Sequence, residues 1–202
     1  MPRDRARALL IDLDGVLRRW DPAPMIAVEI KYGLRPAALL ETAMSWDIYQ
    51  PAMAGGLTDA EWMALVAERL PIGAGAAAVA EWQAYRGEPD PDALAFVRSV
   101  RVAGRPVGIA TNGTDRLRPD LDALGLTDEV DVVISSWELG VHKPAPEFFP
   151  RACEILGVEP NYVLFVDDDD RAVRAARAAG LPAYRWTGPQ HVEYLRKALD
   201  LG

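Results

Sequence analysis

The chain has 202 residues, half of them apolar and about a quarter charged, an ordinary globular balance with room for one full domain and a modest insertion. Its formal net charge of −8 argues against nucleic acid as a partner, because no basic patch is present to displace counterions from phosphates. A single cysteine, Cys153, excludes an intrachain disulfide, and no apolar stretch is long enough to span a bilayer.

The opening segment carries arginines and then an apolar run too short for the core of a signal peptide and broken by aspartates, so the expected location is cytoplasmic. That run, Ala8-Leu9-Leu10-Ile11, reads as a first strand and leads into Asp12-Leu13-Asp14-Gly15. Residues 17–92 then look helical and offer no convincing strand. Thr58 and Glu61 have the spacing of a capping box and predict a helix over about 59–69. Gly55-Gly56, Pro71 to Gly75 and Pro89 to Pro91 supply the breaks.

From residue 93 onward a short apolar run alternates with a helical stretch. Pro106–Ala110 leads into Thr111-Asn112-Gly113, Asp131–Ile134 into Ser135-Ser136, Tyr162–Val166 into four aspartates, Asp167 to Asp170, and Pro182–Trp186 into Thr187-Gly188-Pro189. Continuous rather than alternating apolar runs predict strands covered on both faces. Helices over 115–124, 146–156 and 170–179 would stop at Gly125, Gly157 and Gly180. The expected architecture is α/β: a doubly wound, Rossmann-like parallel sheet formed by 1–16 and 93–202, with a helical cap at 17–92 inserted after the first strand.

Ligands in such sheets lie beyond the carboxyl ends of the strands, where Asp12, Asp14, Thr111, Asn112, Asp167 and Asp168 collect. Residues two apart on an extended segment point the same way, so Asp12 and Asp14 would converge and repel. A divalent cation relieves that repulsion, oxygen-only ligands suit magnesium, and the acidic cluster after Val166 would complete the site. Magnesium would offset the charge of a phosphate and orient it for in-line attack. A carboxylate attacking phosphorus gives an aspartyl-phosphate, and a second acid must protonate the leaving alcohol and then activate water. Thr111 and Lys143, one of only three lysines, would supply a hydroxyl and a fixed positive charge to the transferring group.

Four ordered blocks, Asp12-Leu13-Asp14-Gly15-Val16-Leu17, Thr111-Asn112, Lys143-Pro144 and Val166-Asp167-Asp168, resemble the haloacid dehalogenase (HAD) superfamily of phosphohydrolases. Ser136–Gly140 before the lysine and Pro146–Phe149 after it extend the resemblance over most of the chain. It implies a HAD-like core and a small helical cap that sets substrate choice. Asp12 would be the nucleophile and Asp14 the general acid/base, with its backbone carbonyl also on magnesium. Thr111 would hold the phosphoryl oxygens, with Asn112 beside it at the substrate, and Lys143 would orient Asp12. Asp168 would be the remaining metal carboxylate, supported by Asp167.

The activity so implied is magnesium-dependent hydrolysis of a small phosphate monoester. The alternatives are a sugar-phosphate mutase, a dehalogenase on the same scaffold, or a non-catalytic phosphate or metal binder. Asp14 argues against the dehalogenase branch, which lacks an acid there. Two positions depart from the family pattern: Ala172 replaces an acid or amide common four residues after the position of Asp168, and Pro150 falls early in a helix, where only the first turn tolerates it. Asp169 and Asp170 read as a helix N-terminus. His142 and His191 lack partners at catalytic spacing, and Cys153 reads as a small buried apolar residue. Trp20, Trp46, Trp62 and Trp82, with Tyr32, Tyr49 and Tyr85, fall in the cap. They would either pack its helices together or line a pocket for an apolar leaving group.

Overall fold

The computed structural model describes residues 6–201. Five parallel strands, β1 (Ala8–Ile11), β4 (Val107–Thr111), β5 (Val132–Ser135), β6 (Val163–Asp167) and β7 (Ala183–Arg185), form one sheet in the order β5-β4-β1-β6-β7. Alternate residues of β1 enter two different cores. Leu9 and Ile11 pack with Phe96, Val97 and Leu195, whereas Ala8 and Leu10 pack with Phe148, Phe149 and Ala176. The first set is covered by α6 (Pro91–Val102), α7 (Leu117–Ala123) and α11 (Val192–Ala198), and the second by α9 (Phe148–Leu156) and α10 (Asp170–Ala178). Burial on both faces is why these strands read as unbroken apolar runs. The Rossmann-like, doubly wound sheet is therefore as expected.

Helices α9 and α10 end before Gly157 and Gly180, both at positive φ, which spares the backbone the Cβ clash of a left-handed turn. Pro150 occupies the third residue of α9, where no intrahelical N–H is lost.

The insertion carries α1 (Ala23–Lys31), α2 (Ala38–Ala43), α3 (Trp46–Met53), α4 (Asp59–Arg69) and α5 (Gly75–Trp82). These helices enclose a core of their own, with Val28, Leu39, Ile48, Met63 and Val66 buried in it. Helix α4 starts as the sequence predicts: Thr58 accepts from the Glu61 N–H, and the Glu61 carboxylate takes the Thr58 N–H in return. The absence of strands does not hold. β2 (Arg18–Arg19) and β3 (Glu88–Pro89) pair antiparallel where the chain leaves and re-enters the main domain. A ribbon of two residues per strand is too short to produce an alternating pattern, and Pro89 is tolerated because an edge position needs no N–H.

Candidate active site

The first strand places its carboxylate where the strand order reverses. β1 lies between β4 and β6, and Asp12 follows it directly with its backbone N–H donated to Val166. Thr111 closes β4 and Asp167 closes β6, so Asp12, Thr111 and Asp167 meet at the same sheet end, all buried.

Lys143 enters from the loop after α8 (Ser136–Leu139). Its ammonium lies 2.8 Å from Asp12 Oδ1 and 2.5 Å from Asp167 Oδ2. Its backbone is clamped by Asn112, whose side-chain amide donates to the Lys143 carbonyl at 2.9 Å and accepts from the Lys143 N–H at 2.8 Å. Asn112 thus fixes the lysine that fixes Asp12. Asp167 Oδ1 accepts the Asp169 N–H at 2.7 Å, so both oxygens of Asp167 are held.

Burial pushes the Asp12 carboxyl up to about 7; Lys143 pulls it down and the neighbouring Asp167 pushes it up again. Burial alone would lower Lys143, but the charges of Asp12 and Asp167 outweigh it and hold the ammonium above its ordinary value. The lysine is therefore a fixed cation, and one cation serves two buried carboxylates.

Asp168 adds a third. Carboxylate oxygens of Asp12, Asp167 and Asp168 lie within 4.8 Å of one another, an all-oxygen donor set of the kind hard divalent cations take. Gly15 makes room for it: a Cβ there would fall 2.3 Å from Asp168 Oδ2, and its φ of +81° further favours glycine.

The side chain of Asp14 is outside that cluster. Arg18 grips it with Nε to Oδ1 at 2.7 Å and Nη2 to Oδ2 at 2.9 Å, and the Trp20 indole N–H donates to Oδ1 at 2.5 Å. Arg18 also reaches Asp120 at 3.3 Å, where Arg116 (3.4 Å) and Arg86 (3.7 Å) converge as well. Of these partners the sequence marks only Trp20, among the cap aromatics; Arg18, four residues after Asp14, is not singled out by it.

The cap covers the site across a network of polar contacts. Asp59, the first residue of α4, takes hydrogen bonds from Thr114 (3.2 Å) and Gln83 (2.9 Å), and its N–H donates to Asp115 at 2.7 Å. Trp137 donates to the Leu57 carbonyl at 2.9 Å. Between cap and sheet lies a cavity of about 600 Å³ that reaches from Asp12, Thr111 and Lys143 up to Tyr49, Trp62 and Trp82. Burial raises the Tyr49 hydroxyl, opposed by nearby Asn112 and Lys143.

Other residues have structural partners of their own. His142 contacts the Lys143 carbonyl at 2.8 Å and meets the edge of Trp46, and His191 bonds Tyr184 and Thr187. Cys153 is buried in the second core. Ala172 is also buried there, Asp169 caps α10, and Asp170 pairs with Arg174.

A doubly wound sheet whose end gathers three carboxylates and a buried lysine, beneath a helical cap, defines a capped Rossmann-like hydrolase. Residues 6–180 match the haloacid dehalogenase-like hydrolases, and the chain belongs to that family. It is 40% identical over 96 residues to Phosphatase MT3486 of Mycobacterium tuberculosis, a match spanning 46% of this chain and 44% of that protein. It is 27% identical to Fructose-1-phosphate phosphatase YqaB of Escherichia coli over 89% of this chain and 96% of that one. A HAD family enzyme of Bacteroides thetaiotaomicron, solved with magnesium and inorganic phosphate, has the same fold, with a TM-score of 0.74 at 23% identity over 89% of this chain and 93% of that one. Among the described residues no helix is long and apolar enough to cross a membrane.

Proposed function

We propose that the protein is a magnesium-dependent phosphomonoesterase that hydrolyses a small phosphate ester in the cytoplasm through an aspartyl-phosphate on Asp12. The observation that carries this reading is the Asp12–Lys143–Asp167 cluster at the sheet end, with Asp168 beside it. The phosphatases among its relatives and the magnesium and phosphate bound by the Bacteroides enzyme support it.

Asp12, Asp168 and the Asp14 backbone carbonyl would hold magnesium, with Asp167 in support. The donor set fits: three carboxylates lie together with one buried ammonium that pairs with two of them, and a hard cation would balance the surplus charge. When bound, the ion supplies charge neutralisation to the phosphoryl oxygens.

The remaining steps belong to the chain. Among the described residues, the hydrogen bonds to the Asp12 carboxylate fall on Oδ1, from Lys143 and from the Leu13 N–H at 2.8 Å, which leaves Oδ2 to attack phosphorus. Thr111, with Asn112 beside it, would hold the phosphoryl oxygens while Lys143 offsets their charge. As the bond from phosphorus to the alcohol oxygen breaks, Asp14 gives that oxygen a proton. Asp14 then takes a proton from the water that attacks phosphorus, which frees phosphate and Asp12. This general acid–base work is worth roughly 10²–10⁴-fold. To carry it out, Asp14 exchanges its grip on Arg18 and Trp20 for the leaving oxygen. Residues 1–16 and 93–202 would form the catalytic domain and 17–92 the cap.

The test is magnesium-dependent phosphate release from an aryl phosphate by the native protein and by Asp12→Asn. Turnover that needs both the ion and Asp12 is expected. Turnover by the variant at native rate would overturn the nucleophile, and phosphoryl transfer to a sugar without free phosphate would point to a mutase.

A further inference from the structure

The upper cavity differs in chemistry from its floor. Four of the five methionines in the chain, Met25, Met44, Met53 and Met63, line this one cavity. Trp62 and Trp82 stand with them. Helix packing accounts for Met53 and Met63, which are buried. It does not account for Leu40 and Met44, which line the cavity yet remain 40% and 50% exposed. Both come from the turn where α2 ends, so their apolar surface is left facing the space into which a leaving group would project. Thioethers are polarisable and rotate freely, so they fit themselves to flat apolar groups and make favourable contacts at ring edges.

The polar wall, by contrast, is already neutralised. Arg18, Arg86 and Arg116 share Asp120, while Asp14 and Asp59 take up Arg18 and Arg116 a second time. Three guanidinium groups therefore face three carboxylates. Among the described residues lining the cavity, one side-chain donor is buried without a protein partner, Arg86 Nη2, and a solute reaches it only if the side chain turns. With these pairs in place no surplus cation is left for a second phosphate or for a carboxylate on the alcohol, and burying such an anion unpaired is costly; Arg18, once Asp14 turns to the leaving oxygen, stays engaged by Asp120.

We infer that the cavity selects phosphate monoesters whose alcohol carries an aromatic or branched apolar body and no second anionic group, an inference that rests on the phosphomonoesterase reading above. Recognition follows from area removed from water on the Leu40–Met44 side, with the phosphate held at Asp12.

The experiment must separate binding from leaving-group reactivity. Aryl phosphates confound the two, because a phenol leaves more easily than an alcohol. The native protein with magnesium is therefore assayed on 2-phenylethyl phosphate, ethyl phosphate and glycerol 3-phosphate, all esters of aliphatic alcohols. The expected result is a kcat/KM at least about tenfold higher for the phenylethyl ester than for either other compound. In Met44→Gln and Leu40→Asn, both at half-exposed positions, that ratio falls severalfold. A kcat/KM for glycerol 3-phosphate or ethyl phosphate equal to or above that of the phenylethyl ester overturns the inference and leaves the phosphatase standing. So does a ratio unmoved by both variants. No turnover of any of the three overturns both readings together.

Discussion

The floor of the cavity and its roof are built on opposite principles. On the floor the charged groups are held by fixed partners: Asn112 clamps the Lys143 backbone from both sides, Lys143 bridges Asp12 and Asp167, and the Asp169 N–H holds the far oxygen of Asp167. The carboxylates are anchored at strand ends, where the sheet leaves them little freedom, and the Lys143 loop is tied to them through Asn112. The roof is made of thioethers, indoles and aliphatic groups on short helices, several of them half exposed. Charge must be preorganised before phosphorus is attacked, since reorganisation during the reaction would add to the barrier. An apolar wall has no such requirement and can adapt to its ligand. On the proposed reading, chemistry belongs to the sheet and selection to the insertion.

The largest expected effect comes from removing the cation that both carboxylates share. Lys143→Gln keeps a hydrogen-bond donor, one atom nearer the backbone, but loses the charge. Turnover should fall by about 10²–10³-fold, the range for a single electrostatic contact of this kind. The variant also has a pH signature. Lys143 pulls the Asp12 carboxyl down against burial and the Asp167 charge, and the balance of the three leaves it at about 7. Without the lysine that midpoint must move higher, so the metal-free variant keeps Asp12 protonated over a wider pH range. Carbon-13 titration of the aspartate carboxyls in chelator reads this directly. A midpoint at or below that of the native protein would show that Lys143 does not govern Asp12, and the contrast between floor and roof would lose its centre.

A smaller effect is expected where the first motif touches the acidic cluster. Gly15→Ala places a methyl group 2.3 Å from Asp168 Oδ2 and forces alanine to a φ of +81°. Asp168 has to turn away, and magnesium affinity should fall by about 10–100-fold, as it does when the support of a ligand is disturbed. Calorimetric titration with magnesium checks it. Unchanged affinity would mean that Asp168 is not a ligand.

These two residues also mark how much was legible in the sequence. Lys143 was visible because lysine is rare in this chain and Lys143-Pro144 is one of the blocks that resemble the family. Asp12, Thr111 and Asp167 were visible because parallel strands buried on both faces end abruptly in polar residues. The spatial meeting of Asp12, Asp167 and Asp168 follows from strand order, with β1 between β4 and β6, which adjacency along the chain does not reveal. The meeting of Arg18 and Arg86 on Asp120 was hidden, because residues up to 102 apart in sequence meet only once the chain is folded. The β2–β3 ribbon was hidden for a simpler reason: two residues carry no period. Asp59 was legible as the start of a helix and not as the link between cap and core, since a helix boundary is set locally and its docking partner is not.

The smallest effect tests whether the roof is a folding unit distinct from the floor. Thr58 and Glu61 satisfy each other's backbone N–H at the start of α4, and α4 packs Met63 and Val66 into the cap core. Thr58→Ala removes the side-chain acceptor and should cost about 1 kcal/mol of local stability. If the cap opens on its own, that loss belongs to the cap alone: amide hydrogen exchange should speed up about fivefold in α4 and in its packing neighbour α5, while amides of β1, β4 and β6 keep their protection. Uniform acceleration through both regions would instead show that the Asp59 contacts with Thr114 and Asp115 weld cap and sheet into one cooperative body. In that case the division of labour between them would be one of chemistry only, without independent motion.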